Sequence, residues 1–168
     1  MATEIERRSI WEAMLEADYQ KRYWHAKAAS FIRLDRMLQI ILAVLSSAAV
    51  LSALGDLKLL AAWKWLSAIT AIIATALPFM NYTRRSVTMT DLGSKWHALE
   101  IEYSSMWRAI DKGGFREKVF KELKAQEVEI GKMVADLPMD DKRLQSECYK
   151  QVLISRESND DLVGNSSN

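Results

Sequence analysis

The chain holds two histidines and one cysteine, so His25, His97 and Cys148 are the first places to weigh for acid–base or metal chemistry. His97 and Glu100 stand at i and i+3, the spacing that carboxylate-bridged metal centres of helical bundles use for part of their ligand set. Such a centre needs several further inward-facing Glu and His residues at matched levels, and the stripe through Leu99 and Tyr103 offers none. A surface or helix-stabilising His97 is the plainer expectation. His25 lies beside Trp24 and near Lys21 and Lys27 with no carboxylate–histidine–serine pattern around it, and reads as a headgroup or interhelical contact. A single Cys148 forms neither an internal disulfide nor a Cys-rich metal site. Gly113-Gly114 lacks the strand-to-helix setting and the terminal Lys-Ser or Lys-Thr of a phosphate-binding loop, so it is read as a hinge. No catalytic, cofactor-binding or metal-binding set assembles, and the expectation is a protein that is not an enzyme and carries no cofactor.

The polar residues with more to say are those set in apolar surroundings. Met37 to Leu54 contains no charge, nor does Trp65 to Met80, and a short polar break separates the two stretches. At ~1.5 Å per residue, an 18-residue helix covers about 27 Å, near the lower end of what crosses a bilayer's hydrocarbon core. The pair reads as a transmembrane hairpin, with Trp63, Trp65 and Tyr82 as interfacial aromatics and the centre of a soluble helical protein as the competing interpretation. Gln39, Ala43, Ser46, Ala49 and Ala53 approximate one helical face, and Ser67, Ala71 and Thr75 recur every four residues on the other span. Small and polar faces of this kind permit close helix approach, or line a water-filled path when several copies form a ring. One hairpin cannot enclose a channel, so conduction demands a homo-oligomer. Pro78 removes a backbone donor from the second span and marks a kink, as a gating hinge or as the turn into the next helix.

Charge sets the expected orientation. Lys21, Arg22, Lys27, Arg33 and Arg36 precede the first span and Arg84, Arg85 and Lys95 follow the second, whereas only Asp56, Lys58 and Lys64 lie between them. The basic excess on the outer flanks places both termini in the cytoplasm. Arg33, Arg36, Arg84 and Arg85 would form a cationic collar facing lipid headgroups, with a nucleotide or other anionic effector as the alternative ligand. The first 36 residues are too densely charged for a cleavable signal peptide. A formal net charge of +1 gives no basic field for general nucleic-acid binding.

Proline is nearly absent and glycine sits mainly at breaks, so the elements that position these residues are expected to be long helices. The spacing predicts a helix from about Thr3 to Leu34 that runs on into the membrane, with Ile10, Met14, Ala17, Trp24, Ala28 and Phe31 on one face. Leu92, Trp96, Leu99, Tyr103, Met106 and Ile110 step by four and three and predict a helix packed along one side, a stripe also expected to serve oligomerisation. A helix over Phe115 to Ala135 should bury Val119, Leu123, Ile130 and Val134 while Lys118, Lys121, Glu122 and Lys124 face water. After Leu137-Pro138, Asp140 and Asp141 suit the positive end of a last helix that buries Leu144, Cys148 and Val152. From Glu157 the chain turns polar, which predicts a mobile tail. The fold class expected is thus an all-α membrane protein: an N-terminal cytosolic helix over residues 1–36, a hairpin over 37–82, cytosolic helices over 83–156 and a flexible tail over 157–168.

The segment Tyr19-Gln20-Lys21-Arg22-Tyr23-Trp24-His25-Ala26-Lys27-Ala28-Ala29, the two-span hairpin and the helix around Asp91-Leu92-Gly93-Ser94-Lys95-Trp96 resemble the SLATT domain family. These are two-transmembrane effectors associated with nucleotide-signalling bacterial conflict systems, and the resemblance covers roughly residues 8 to 155. It implies a multi-pass protein of the bacterial inner membrane that assembles into a pore or otherwise disrupts the membrane. It further implies antiphage defence through cell death or growth arrest, triggered by a nucleotide-signalling enzyme or sensor protein. No catalytic or nucleotide-binding residue carries over. A membrane-anchored helical scaffold that recruits a cytosolic partner fits the same elements.

Overall fold

The computed structural model describes residues 3–45, 68, 70–75, 82–110, 114–134, 137 and 141–164, and among them there are helices and no strand. Helix α1 covers Glu4–Leu45, α2 Tyr82–Ile110, α3 Glu117–Met133 and α4 Lys142–Gly164; residues 70–75 are also helical.

Local chemistry explains where these helices begin. At the start of α1 the Thr3 N–H donates to Glu6 Oε2 at 2.7 Å and the Glu6 N–H donates to Thr3 Oγ1 at 3.3 Å, the reciprocal pair of a capping box. At α4, Asp141 Oδ1 accepts the Leu144 N–H at 3.1 Å, which satisfies a donor that the first turn would leave open. Beyond α2, the Gly114 N–H reaches back to the Ala109 carbonyl at 3.0 Å. A Cβ on Gly114 would stand 3.0 Å from that same oxygen, so the close return leaves little room for a side chain.

The chain divides into two compact units, one of residues 1–27 and 88–168, the other of residues 28–87. In the first, α1 and α2 run antiparallel, since Trp11 meets Trp107 at 5.2 Å and Lys21 meets Glu100 at 3.1 Å. The α3 helix returns along α2, where Tyr103 faces Phe120 at 6.1 Å and Lys95 reaches Met133 at 3.3 Å. The α4 helix runs against α1, with Tyr149 edge-on to Tyr19 at 6.4 Å and Ser155 bonded to Arg22 at 3.1 Å. The first two pairs are antiparallel, because the contacting residue numbers rise along one helix as they fall along the other.

Every residue of the Leu92, Trp96, Leu99, Tyr103, Met106 and Ile110 stripe is buried, against a core that includes Ile10, Met14, Ala17 and Trp24 of α1. The stripe expected to drive oligomerisation is therefore consumed by the chain's own packing, and self-association has to use another surface. Leu123 and Ile130 of α3 and Cys148 and Val152 of α4 are buried as their spacing predicts. Lys124, expected in water, is half-buried, because it donates to Glu127 at 2.8 Å and lies 5.9 Å from the Tyr103 ring centre. The α4 helix continues through Gly164, past the Glu157 boundary at which a mobile tail was expected. No proline or glycine intervenes before Gly164, and propagating a helix is far easier than nucleating one.

In the second unit, Phe31 of α1 lies 6.0 Å from Tyr82 of α2, and Asp35 accepts from Thr83 at 3.4 Å. Among the described residues no helix is long and apolar enough to cross a membrane. Residues 46–54 of the first apolar stretch and 65–67, 69 and 76–80 of the second lie outside the described residues, so the expected hairpin rests on the amino-acid pattern.

Candidate functional site

Asp18, only 2% exposed, is the focus of the most concentrated chemistry in the first unit. One face of α1 carries Asp18, Lys21 and Arg22 at i, i+3 and i+4, so the two cations close on the carboxylate from the next turn. Lys21 approaches Oδ1 at 3.1 Å, while Arg22 places Nε at 2.9 Å from Oδ1 and Nη2 at 3.3 Å from Oδ2. From α4, Arg156 Nη2 reaches Asp18 Oδ2 at 3.5 Å and Glu100 Oε1 at 3.2 Å. Glu100, on α2, also accepts from Lys21 at 3.1 Å and meets His97 Nδ1 at 3.2 Å. Three cations and two carboxylates thus tie α1, α2 and α4 together at one level.

Burial opposes charge on Asp18, but hydrogen bonds and charge from Arg22 and Lys21 outweigh it and hold the carboxyl below its ordinary value. The cluster can hold helices in register. With Glu100 engaged by Lys21 and Arg156, the His97–Glu100 pair is a surface turn of this network. Among the described residues no group of three or more His, Cys, Asp or Glu side chains is placed to hold a metal ion.

The two segments that carry the SLATT resemblance meet each other directly. Gly93 on α2 sits against His25 on α1, so close that a Cβ there would lie 3.0 Å from the imidazole Cδ2 and Nε2. Beside this contact Tyr23 and Trp24 are buried with their rings edge-on at 5.1 Å, and Trp24 Nε1 donates to Gln20 Oε1 at 3.0 Å. Lys27 is also buried and donates to Tyr23 Oη at 2.8 Å. His25 is thereby an interhelical contact, one of the two roles its sequence setting left open.

The candidate pore and packing residues fall in the second unit. Gln39 is exposed, its amide donating to Asp35 Oδ2 at 2.9 Å, and Ala43 and Ala71 are exposed. Thr75 is exposed as well, with its hydroxyl bonded to the Ala71 carbonyl at 2.8 Å. Ser46, Ala49, Ala53, Ser67 and the candidate hinge Pro78 lie outside the described residues. Arg33, Arg36, Arg84 and Arg85 are all exposed. The Asp35–Thr83 contact brings the two arginine pairs, from distant parts of the sequence, to one level of the helix pair.

Sequence reasoning missed the Asp18 network. Its local part, Asp18 with Lys21 and Arg22, carries a readable i, i+3, i+4 signal; Arg156, 138 positions from Asp18, carries none. Comparison of the chain with family models, with curated proteins and with solved structures returned no match.

Proposed function

We propose that the chain is an oligomeric pore-forming or membrane-disrupting effector of a bacterial antiphage defence system, held in the inner membrane with both termini cytoplasmic and triggered by a nucleotide-signalling enzyme or sensor. The observation that carries the membrane part is the surface of α1 beyond Arg36. Met37, Ile40, Ile41 and Val44 are 61, 57, 47 and 55% exposed, on a stretch whose last charge is Arg36. Apolar surface left open around most of a helix needs lipid or another protein to cover it. The arginine level just before it supplies the cationic border that anionic headgroups favour. The effector role is supported by the SLATT resemblance and by the small and polar positions along both uncharged stretches.

Alkaline carbonate extraction combined with thiol labelling of single cysteines tests the placement. In a Cys148→Ser background, Ser9→Cys and Ser105→Cys should label from the cytoplasmic side only, and the protein should stay with the membrane. Recovery as a carbonate-soluble monomer would reject the hairpin. A protein that is inserted and never depolarises cells when its trigger is supplied would be the anchored scaffold.

A further inference from the structure

We infer that the groove between α2 and α3 is the docking site for the outer face of α4 from a second copy of this chain, a head-to-tail contact between the cytosolic helices. The groove has a volume of about 580 Å³ and a floor that includes Leu99, Leu123, Ile130 and Met133. Its α3 wall steps through Val119, Leu123, Gln126, Ile130 and Met133 by four and three, and its α2 wall steps likewise through Lys95, Leu99 and Glu102. Two such seams side by side form the seat for a third helix with the same period.

Helix α4 offers that third seam. Its inner face buries Cys148 and Val152, while Lys142, Ser146, Tyr149 and Leu153 repeat by four and three on the outside. Tyr149 and Leu153 are exposed, as is Ile154 beside them. The charges on the two surfaces are opposite. Glu102, Glu122 and Glu129 rim the groove, and Glu102 and Glu129 form no ion pair among the described residues. The α4 face carries Lys142 and Lys150, which also form none. Glu122 and Glu129 are seven residues apart on α3, about 10.5 Å, and Lys142 and Lys150 eight apart on α4, about 12 Å, so both carboxylates and both ammonium groups come within reach in one docked register. Opposed potentials of this kind orient an encounter, and the apolar floor supplies the burial that holds it.

Groove and ridge are different surfaces of the same molecule, so the contact is heterologous. Each copy uses its groove on one neighbour and its α4 face on another, which closes into a ring when the rotation allows. A ring is what a one-hairpin subunit needs to surround a path. The proposal rests on the oligomeric interpretation above, and the test separates the two.

The full-length chain in detergent is brought to assembly equilibrium and its mass followed against concentration by light scattering. The Glu122→Lys/Glu129→Lys variant and the Lys142→Glu/Lys150→Glu variant should each raise the dissociation constant at least about tenfold, and the chain carrying all four reversals should recover most of the loss. All four side chains are exposed, so helix content and melting should hold; Lys142→Glu even favours the α4 N-terminus. A wild-type chain that stays monomeric overturns the oligomeric interpretation together with the groove. An oligomer indifferent to both reversals, or a loss that the combined variant does not recover, overturns the groove alone.

Discussion

Replacing Asp18 with Asn tests whether the charged cluster holds α1, α2 and α4 together. The substitution keeps the shape of a side chain that is 3% exposed and removes its charge, leaving Glu100 as the single carboxylate among Lys21, Arg22 and Arg156. Removing one member of a buried ion pair costs about 3–5 kcal/mol. Lys21 and Arg22 are 21 and 32% exposed and can turn toward water, which lowers the expectation to about 2–4 kcal/mol. At about 2–4 °C per kcal/mol for a chain of this size, the melting temperature at pH 7, followed by tryptophan fluorescence, should fall by about 4–16 °C. The pH dependence carries the sign. Asp18 ionises more readily in the folded state than its ordinary value of 3.8, so its contribution is complete above that value and disappears as the pH falls below it toward the folded one. The gap between wild type and Asp18→Asn should therefore be full at pH 6 and close as the solution is taken below pH 3.8. A variant that melts within about 1 °C of wild type at pH 7 would refute the assignment of stability to this carboxylate.

Further outcomes follow from single contacts. Gly93→Ala combines a gain of up to about 1 kcal/mol in helix propensity with a crowded approach to His25, so it should stabilise more in a His25→Ala background than alone; equal shifts in both would deny the contact. Trp96 is 5% exposed and its Nε1 has no hydrogen-bond partner among the described residues, so Trp96→Ala should cost about 3–5 kcal/mol in denaturant unfolding and Trp96→Phe distinctly less. Burial pushes the Cys148 thiol up from its ordinary value, and maleimide at pH 7 should label it only after unfolding; rapid labelling of the native chain would place α4 differently. In the spans, Gln39→Leu with Ser46→Leu should lower ion flux at unchanged oligomer size, and normal conductance in that double variant would remove this face from the conducting path.

What could be read from the sequence was mostly local and periodic. The α2 stripe was legible because apolar residues spaced by four and three can share one side of a helix only by being buried together. The Asp141 cap was legible because an acidic side chain after Leu137-Pro138 has open N–H groups to accept from. The Thr3–Glu6 box carries an equally local signal, Thr-x-x-Glu, and went unread. The extent of α4 was underestimated because a polar composition measures how much surface can be buried, not whether an existing helix stops. Nonlocal pairings were illegible for a different reason. Nothing in the spacing says that Lys21 will meet Glu100, 79 positions away, or that Gly93 is small in order to admit His25. Those depend on which antiparallel register the helices adopt.

Ion flux from sealed liposomes holding the purified full-length chain tests the central claim most directly. At protein densities where the chain is oligomeric and fully inserted, a preset potassium gradient should collapse, and the rate should rise more steeply than linearly with protein density because several copies build each path. Vesicles that keep their gradient at every density, with the protein inserted and oligomeric, would contradict a pore and leave an anchor for a cytosolic partner in its place.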